Sequence, residues 1–325
     1  MAVGAYAVAS DTGRKRRRNE DNYVVAPPLF AVADGMGGAQ AGEVASKLAA
    51  SALSGGESDG LGGAARVEAL IGEANRRIFD RAATDPSASG MGTTMTVALV
   101  EGMTVAIGHV GDSRAYLVRG DHMEQLTEDH SLVNELVKSG KLSEEEAHAH
   151  PQRSVITRAV GTDPDVDVDG FTIEAEDGDV FLLCSDGLTD MVSDEDILDL
   201  VDRHRDDLQQ AVKALVTAAN RGGGEDNITA VAFSISAANG GDDTVQMPAL
   251  TGHDDEPDER TREYAVPDDP HADTMIVPPD RLDDELGPAA GASAPVDVGK
   301  RVRLVLTTLV LLAVAGALLA WGLLR

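Results

Sequence analysis

Four acidic stops punctuate the sequence: Glu20-Asp21-Asn22, Asp34-Gly35-Met36-Gly37-Gly38, Ser185-Asp186-Gly187 and Glu225-Asp226-Asn227. They lie at the ends of short apolar runs and are spread over about two hundred residues, so only a folded sheet could bring them together. Carboxylates with few His or Cys beside them suit a hard cation, Mg²⁺ or Mn²⁺, rather than zinc. Metal-assisted hydrolysis of a phosphate is the first chemistry such a set suggests. Asp34 is the natural bridge between two ions, because it ends an apolar run and is followed by glycines that let the backbone approach a ligand. The Gly35 carbonyl could itself coordinate. Asp-Gly is also a common tight-turn pair, and Asp34-Gly35 alone is open to that plainer reading. Asp186-Gly187 repeats the arrangement after a second apolar run.

The elements that must position these residues read as one α/β domain over residues 1–236. Val3–Ser10, Leu29–Asp34, Asp179–Cys184 and Ile228–Ile235 have the composition of strands. Thr94–Val100, Thr104–Val110 and Ala115–Val118 are β-rich and separated by short turns, as in antiparallel hairpins. Glu43–Leu53, Arg66–Ala83 and Asp207–Asn220 carry helical spacing. Ser193 with Asp196 resembles a capping box opening a helix at Glu195–Val201. Hairpins in series with consecutive helices favour a layered α+β sandwich over a wound βαβ sheet.

A formal charge of −29 argues against nucleic acid, whose phosphates would be repelled. Residues 237–299 hold 16 acidic and 3 basic side chains, with isolated apolar residues and no period, and are expected to be an acidic disordered linker. Within it Asp243-Thr244-Val245-Gln246-Met247-Pro248 is echoed by Asp273-Thr274-Met275-Ile276-Val277-Pro278. The echo reads either as chance in a biased stretch or as paired docking or phosphorylation motifs on Thr244 and Thr274. Leu304 to Leu324 is 21 residues without a charge, roughly 31 Å of helix at 1.5 Å per residue, which matches a bilayer core. Lys300, Arg301 and Arg303 precede it and only Arg325 follows, so residues 300–325 read as a C-terminal transmembrane helix with the N-terminal side in the cytoplasm. Cys184 is the only cysteine, which excludes an intrachain disulfide, and it reads as a buried small hydrophobe.

The ordered set of acidic motifs, together with Gly92-Thr93-Thr94 and Gly111-Asp112-Ser113-Arg114, resembles the metal-dependent (type 2C) Ser/Thr protein phosphatases, in particular bacterial members that pair with Ser/Thr kinases. The likeness covers about residues 3–236. It implies a four-layer αββα sandwich, two antiparallel sheets flanked by helix pairs, with two Mn²⁺ or Mg²⁺ ions at one end and room for a third. By position, Asp34 would bridge the ions, Asp186 and Asp226 would complete the first, and Glu20 with the Gly35 carbonyl would serve the second. Asp21 would orient a metal-bound water, and Asp112 would hold the third ion with Asp186. The plainer reading of Asp112 is a hairpin residue paired with Arg114.

Arg14-Lys15-Arg16-Arg17-Arg18 is the one dense basic run. Such a run is usually a solvated face, but Arg16 matches the family's phosphate-binding arginine, whose fork can grip two phosphoryl oxygens. Met36 stands where many eukaryotic relatives have a histidine proposed to protonate the leaving group, and methionine cannot do so. His109 reads as a packed histidine more readily than as that acid; His130, His148 and His150 read as surface or hinge residues in a flap at Asp129–Arg158. The expectation is a monomeric catalytic domain on a single-pass tether at the cell membrane. It would hydrolyse phosphoserine and phosphothreonine on phosphorylated proteins and oppose Ser/Thr kinases at the cytoplasmic face. The alternative is a catalytically silent phosphoprotein-binding module on the same scaffold.

Overall fold

The runs Val180–Cys184 and Met95–Val100 are buried at every position, as central strands packed on both faces must be. In the computed structural model, which describes residues 2–37, 41–55, 60–148, 150–237, 250–251 and 275–276, both lie in the middle of antiparallel sheets. Gly38, Thr244, Thr274 and the span expected at 304–324 lie outside the described residues. Among the described residues no helix is long and apolar enough to cross a membrane.

In chain order the strands are β1 (Ala2–Asp11), β2 (Asp21–Ala26), β3 (Leu29–Met36), β4 (Gly92–Thr93), β5 (Met95–Glu101), β6 (Thr104–Val110), β7 (Arg114–Arg119) and β8 (His122–Gln125). They continue with β9 (Val155–Ile156), β10 (Asp169–Glu174), β11 (Val180–Cys184), β12 (Ile228–Ser236), β13 (Leu250–Thr251) and β14 (Met275–Ile276). The helices are α1 (Ala41–Gly55), α2 (Gly63–Thr84), α3 (Leu132–Lys138), α4 (Glu144–His148), α5 (Asp186–Thr189), α6 (Asp194–Arg203) and α7 (Leu208–Gly222). One sheet runs β1-β12-β11-β7-β8 and the other β10-β6-β5-β3-β2-β13. Helices α1 and α2 cover the second sheet, α6 and α7 the first, giving four layers. The strands and helices read from periodicity are all present. Strands β2, β4, β8, β9, β10, β13 and β14 and helices α3, α4 and α5 lie outside that reading.

Between the sheets Phe30, Phe233 and Phe181 stack, with ring centroids 4.2 Å apart for Phe30–Phe233 and 5.1 Å for Phe181–Phe233. All three are fully buried. Each such ring contributes about 1.5–3 kcal/mol by burial alone. Outside the sheets, α7 presents Leu208, Ala211, Val212, Leu215 and Ala219 inward at helical spacing, and the Asp207 side chain caps it by accepting from the Gln210 amide. The expected Ser193 cap is formed: its hydroxyl accepts from the Asp196 amide and donates to the Asp196 carboxylate. These packed layers hold the ends of β2, β3 and β11 in register, and the acidic stops fall at those ends.

Candidate metal centre

Asp21 opens β2 directly opposite Asp34 on β3. Two carboxylates face each other across the ladder, an arrangement that repels unless a cation or a proton intervenes. The Asp34 backbone is fixed on both sides. Its amide donates to Thr94 Oγ1 at 3.0 Å, and its carbonyl accepts from the Thr94 amide at 2.8 Å and from Thr93 Oγ1 at 2.7 Å. Asp186 begins α5, immediately after β11. Gly187 there leaves no room for a side chain, since a Cβ would stand 2.0 Å from the Asn227 carbonyl oxygen. The Asp226–Asn227 turn is thereby drawn against the start of α5.

Glu20 and the Gly35 carbonyl meet over α1. A Cβ on Gly42 would lie 2.0 Å from Glu20 Oε2 and 2.7 Å from the Gly35 oxygen. Only a residue without a side chain leaves that cradle open. The Glu20 amide donates to Asn227 Oδ1 at 2.7 Å, and Asn227 Nδ2 donates to the carbonyls of Thr12 and Arg18. One amide side chain thus fastens both ends of the basic loop beside the acids.

The electrostatics show a surplus of negative charge. Burial first, then Asp21, Asp186, Asp226 and Asp112, hold the Asp34 carboxyl well above the usual carboxylate range. Asp186 is likewise raised by burial and then by Asp112 and Asp226. Burial pushes Asp21 up to about 7 against the stabilising bond from Ser185 Oγ, which donates to Asp21 Oδ2 at 2.8 Å. Asp112, raised to about 7, owes this to burial and then to Asp129 and Asp190. Asp21 Oδ1 and Asp186 Oδ1 are buried without a hydrogen-bond partner. Buried orphan oxygens among carboxylates that repel one another are the chemistry a divalent cation relieves. Among the described residues no three acidic, His or Cys side chains close on one point as a complete cage for a single ion. Mg²⁺ and comparable hard ions are commonly held by one or two carboxylates each, with water filling the remaining positions, so an open set of this kind fits them.

Arg16 Nη2 donates to Asp226 Oδ2 at 2.8 Å. Burial works against its charge, but Asp226, and behind it Asp34 and Asp186, keep the guanidinium above its ordinary range. It therefore stands charged at the rim of the acid cluster. Arg114, by contrast, does not pair with Asp112. It clamps Asp129 with bonds of 2.9 Å and 2.7 Å, and the plainer hairpin reading of Asp112 loses its partner.

His109 is fully buried, with Nδ1 against Thr96 Oγ1 and Nε2 against the Glu128 carbonyl. Burial and then His130 push it down to about 4, which is the packed histidine expected. His130 is a correction: it is 7% exposed rather than a surface or hinge residue. Its ring accepts from the Gly111 amide through Nδ1, and so donates from Nε2 to Asp169. Asp190 also escaped the sequence reading. It follows Asp186 by four residues, the spacing that puts both on one helix face, and the two line a cavity of about 670 Å³ with Asp112, Arg114 and Arg153. Cys184 is buried, its thiol pushed up to about 12 by burial, and is no nucleophile.

Residues 14–136 and 144–228 match the family model Protein phosphatase 2C. The Serine/threonine protein phosphatase PstP of Mycobacterium tuberculosis (strain ATCC 25618 / H37Rv) is 36% identical over 335 residues, covering 98% of this chain and 61% of that protein. The chain therefore spans about three fifths of that relative's length. The Serine/threonine phosphatase stp of Listeria monocytogenes serovar 1/2a is 42% identical over 231 residues, 68% of this chain and 91% of that one. Among solved structures, the Mycobacterium tuberculosis phosphatase PstP/Ppp superposes with a TM-score of 0.68 at 41% identity, covering 72% of this chain and 99% of that chain. The catalytic domain of PstP in complex with two manganese ions gives 0.67 at 39%, covering 73% and 100%.

Proposed function

This chain belongs to the protein phosphatase 2C family, and on that premise we propose that it is a membrane-tethered Ser/Thr phosphoprotein phosphatase working at a binuclear Mn²⁺ or Mg²⁺ centre. The observation that carries the reading is the cluster of buried Asp21 and Asp112 with half-buried Asp34 and Asp186, whose mutual repulsion and orphan oxygens call for divalent cations. Asp34 would bridge the two ions, Asp186 and Asp226 would complete one, Glu20 and the Gly35 carbonyl the other, and Asp112 with Asp186 a third. Two such cations, when bound, supply an acidified water and screen the charge on the phosphoryl oxygens.

The chain's own groups do the positioning. Arg16 offers a planar fork to the phosphoryl oxygens from the rim of the cluster. Asp21 is anchored through Oδ2 by Ser185, which would hold its carboxyl in place to orient the attacking water. With Cys184 sealed in the core, direct attack by water needs no covalent phosphoenzyme. Met36 cannot protonate the leaving alkoxide. His109, buried and neutral with both ring nitrogens engaged, is poorly suited to do so, and the proton is assigned to water.

The substrates would be phosphoserine and phosphothreonine proteins, including Ser/Thr kinases and their targets, met at the cytoplasmic face of a membrane spanned by residues 304–324. The full chain should release phosphate from a phosphothreonine peptide only with Mn²⁺ or Mg²⁺, stop with chelator, and lose turnover in Asp34→Asn. Phosphopeptide binding without turnover under any metal would favour the silent module. Recovery of the intact chain in the soluble fraction after cell lysis would remove the tether.

A further inference from the structure

Ile156 is fully buried on β9, in the segment that borders the acid cluster. Its side chain packs against Met36 and Ala159, and Met36 stands two residues beyond Asp34. On one side β9 is joined to the residues before α3. Ser131 bridges Ile156, and the Thr157 amide donates to the His130 carbonyl at 2.8 Å. Successive strand amides point to opposite sides, so with Thr157 facing His130 the Ile156 amide faces the other way. A buried amide requires a partner. On that side lies β14, whose Met275 and Ile276 run parallel to Val155 and Ile156.

β14 comes from the acidic stretch after the domain, at its adjacent apolar run Met275-Ile276-Val277. Met275 and Ile276 fall inside one of the two Asp-Thr-apolar-x-apolar-Pro units, a motif that the proposed chemistry does not use. The same stretch returns to a second strand edge, where Leu250 and Thr251 pair antiparallel with Val25 and Val24 of β2. Extended segments that add to exposed strand edges take their affinity from main-chain hydrogen bonds and their selectivity from alternate side chains.

We propose that the outer edge of β9 is a strand-docking site for this chain's own 275–276 segment, which binds in cis and braces the wall of the metal centre formed by Ile156 and Met36. The assignment stands on strand pairing and does not depend on the catalytic reading. It is tested in the full chain by hydrogen exchange at the Ile156 amide, comparing wild type with the double variant Met275→Pro/Ile276→Pro, in which the added strand loses its donors. Exchange should rise at least tenfold at Ile156 and remain unchanged at Val231 and Ala232 in β12. Deleting residues 270–280 should give the same local rise, and a synthetic peptide of residues 271–280 should restore protection in that deletion variant. Unchanged exchange in both variants overturns the proposal, as does a rise that spreads to β12. Protection in wild type that falls on dilution would assign the strand to a second copy and overturn the cis arrangement.

Discussion

Replacing Asp21 by Asn should stabilise the chelated protein while crippling the proposed enzyme. The Asp21 carboxyl is carried to about 7 from an ordinary 3.8, with burial as the leading cause. A folded value above the unfolded one means that the fold is unpenalised below about pH 4 and loses stability as pH rises toward 7. The gap of about 3 pH units is worth ~4 kcal/mol at pH 8, of which ~2 kcal/mol is already present at pH 5. Chelated wild-type protein should therefore lose ~2–3 kcal/mol from this one group between those pH values. In a domain of this size that is about 5–10 °C in Tm. Asn keeps the shape and can still accept from Ser185 Oγ through its Oδ1, but it never ionises. Differential scanning calorimetry in chelator at pH 5 and pH 8 measures the slope directly. Chelated Asp21→Asn melting at or below wild type at pH 8, with the same pH slope, would refute the reasoning that this carboxylate is held against its own repulsion.

Gly42→Ala places a methyl 2.0 Å from Glu20 Oε2 and should displace that carboxylate, raising the Mn²⁺ concentration for half-maximal thermal stabilisation by at least about tenfold, or ~1.4 kcal/mol; an unchanged midpoint would remove Glu20 from the ion set. Arg16→Lys keeps the charge but loses the planar fork, so KM for a phosphopeptide should rise about tenfold, and equal kinetics would detach Arg16 from the phosphate. Phe233→Ala empties the stack between the sheets and should cost about 3–5 kcal/mol, measured by urea unfolding with an unchanged m-value; a loss under ~1 kcal/mol would mean that the interface collapses around the gap.

How much of this was legible in the sequence depended on which interactions each residue makes. Strands buried on both faces, such as Val180–Cys184, announce themselves by unbroken apolar runs, and capped helices such as α6 by Ser193 and Asp196. The edge strand β10 has no fully buried residue, and its apolar face is only Phe171 and Ile173, too short an alternation to mark a strand. Strand β2 escaped for another reason: Asp21 and Asn22 attract attention as site residues, although both are also the first paired residues of a ladder. His130 looked like a surface residue because a polar ring is tolerated in a core only by specific partners. Those partners, Gly111 and Asp169, are 19 and 39 residues away. The Arg114–Asp129 clamp hides in the same way, behind a nearer acid at Asp112 with which the arginine does not pair. The acid cluster itself was legible because its members all sit at the ends of strands. Its energetic surplus, and the role of Asn227 in tying the basic loop to it, arise from tertiary contacts that leave no pattern in the sequence.

The placement of β12 between β1 and β11 has a consequence for biosynthesis. The first strand of the domain finds its neighbour in the last, with Ala2 opposite Ser236 and Asp11 opposite Ile228. Non-local pairings of this kind form late. A ribosome-bound chain has no partner for its opening strand, and no Asp226 for the proposed ion site, until nearly the whole domain has been made. The five-stranded sheet is therefore complete only once β12 has left the ribosome.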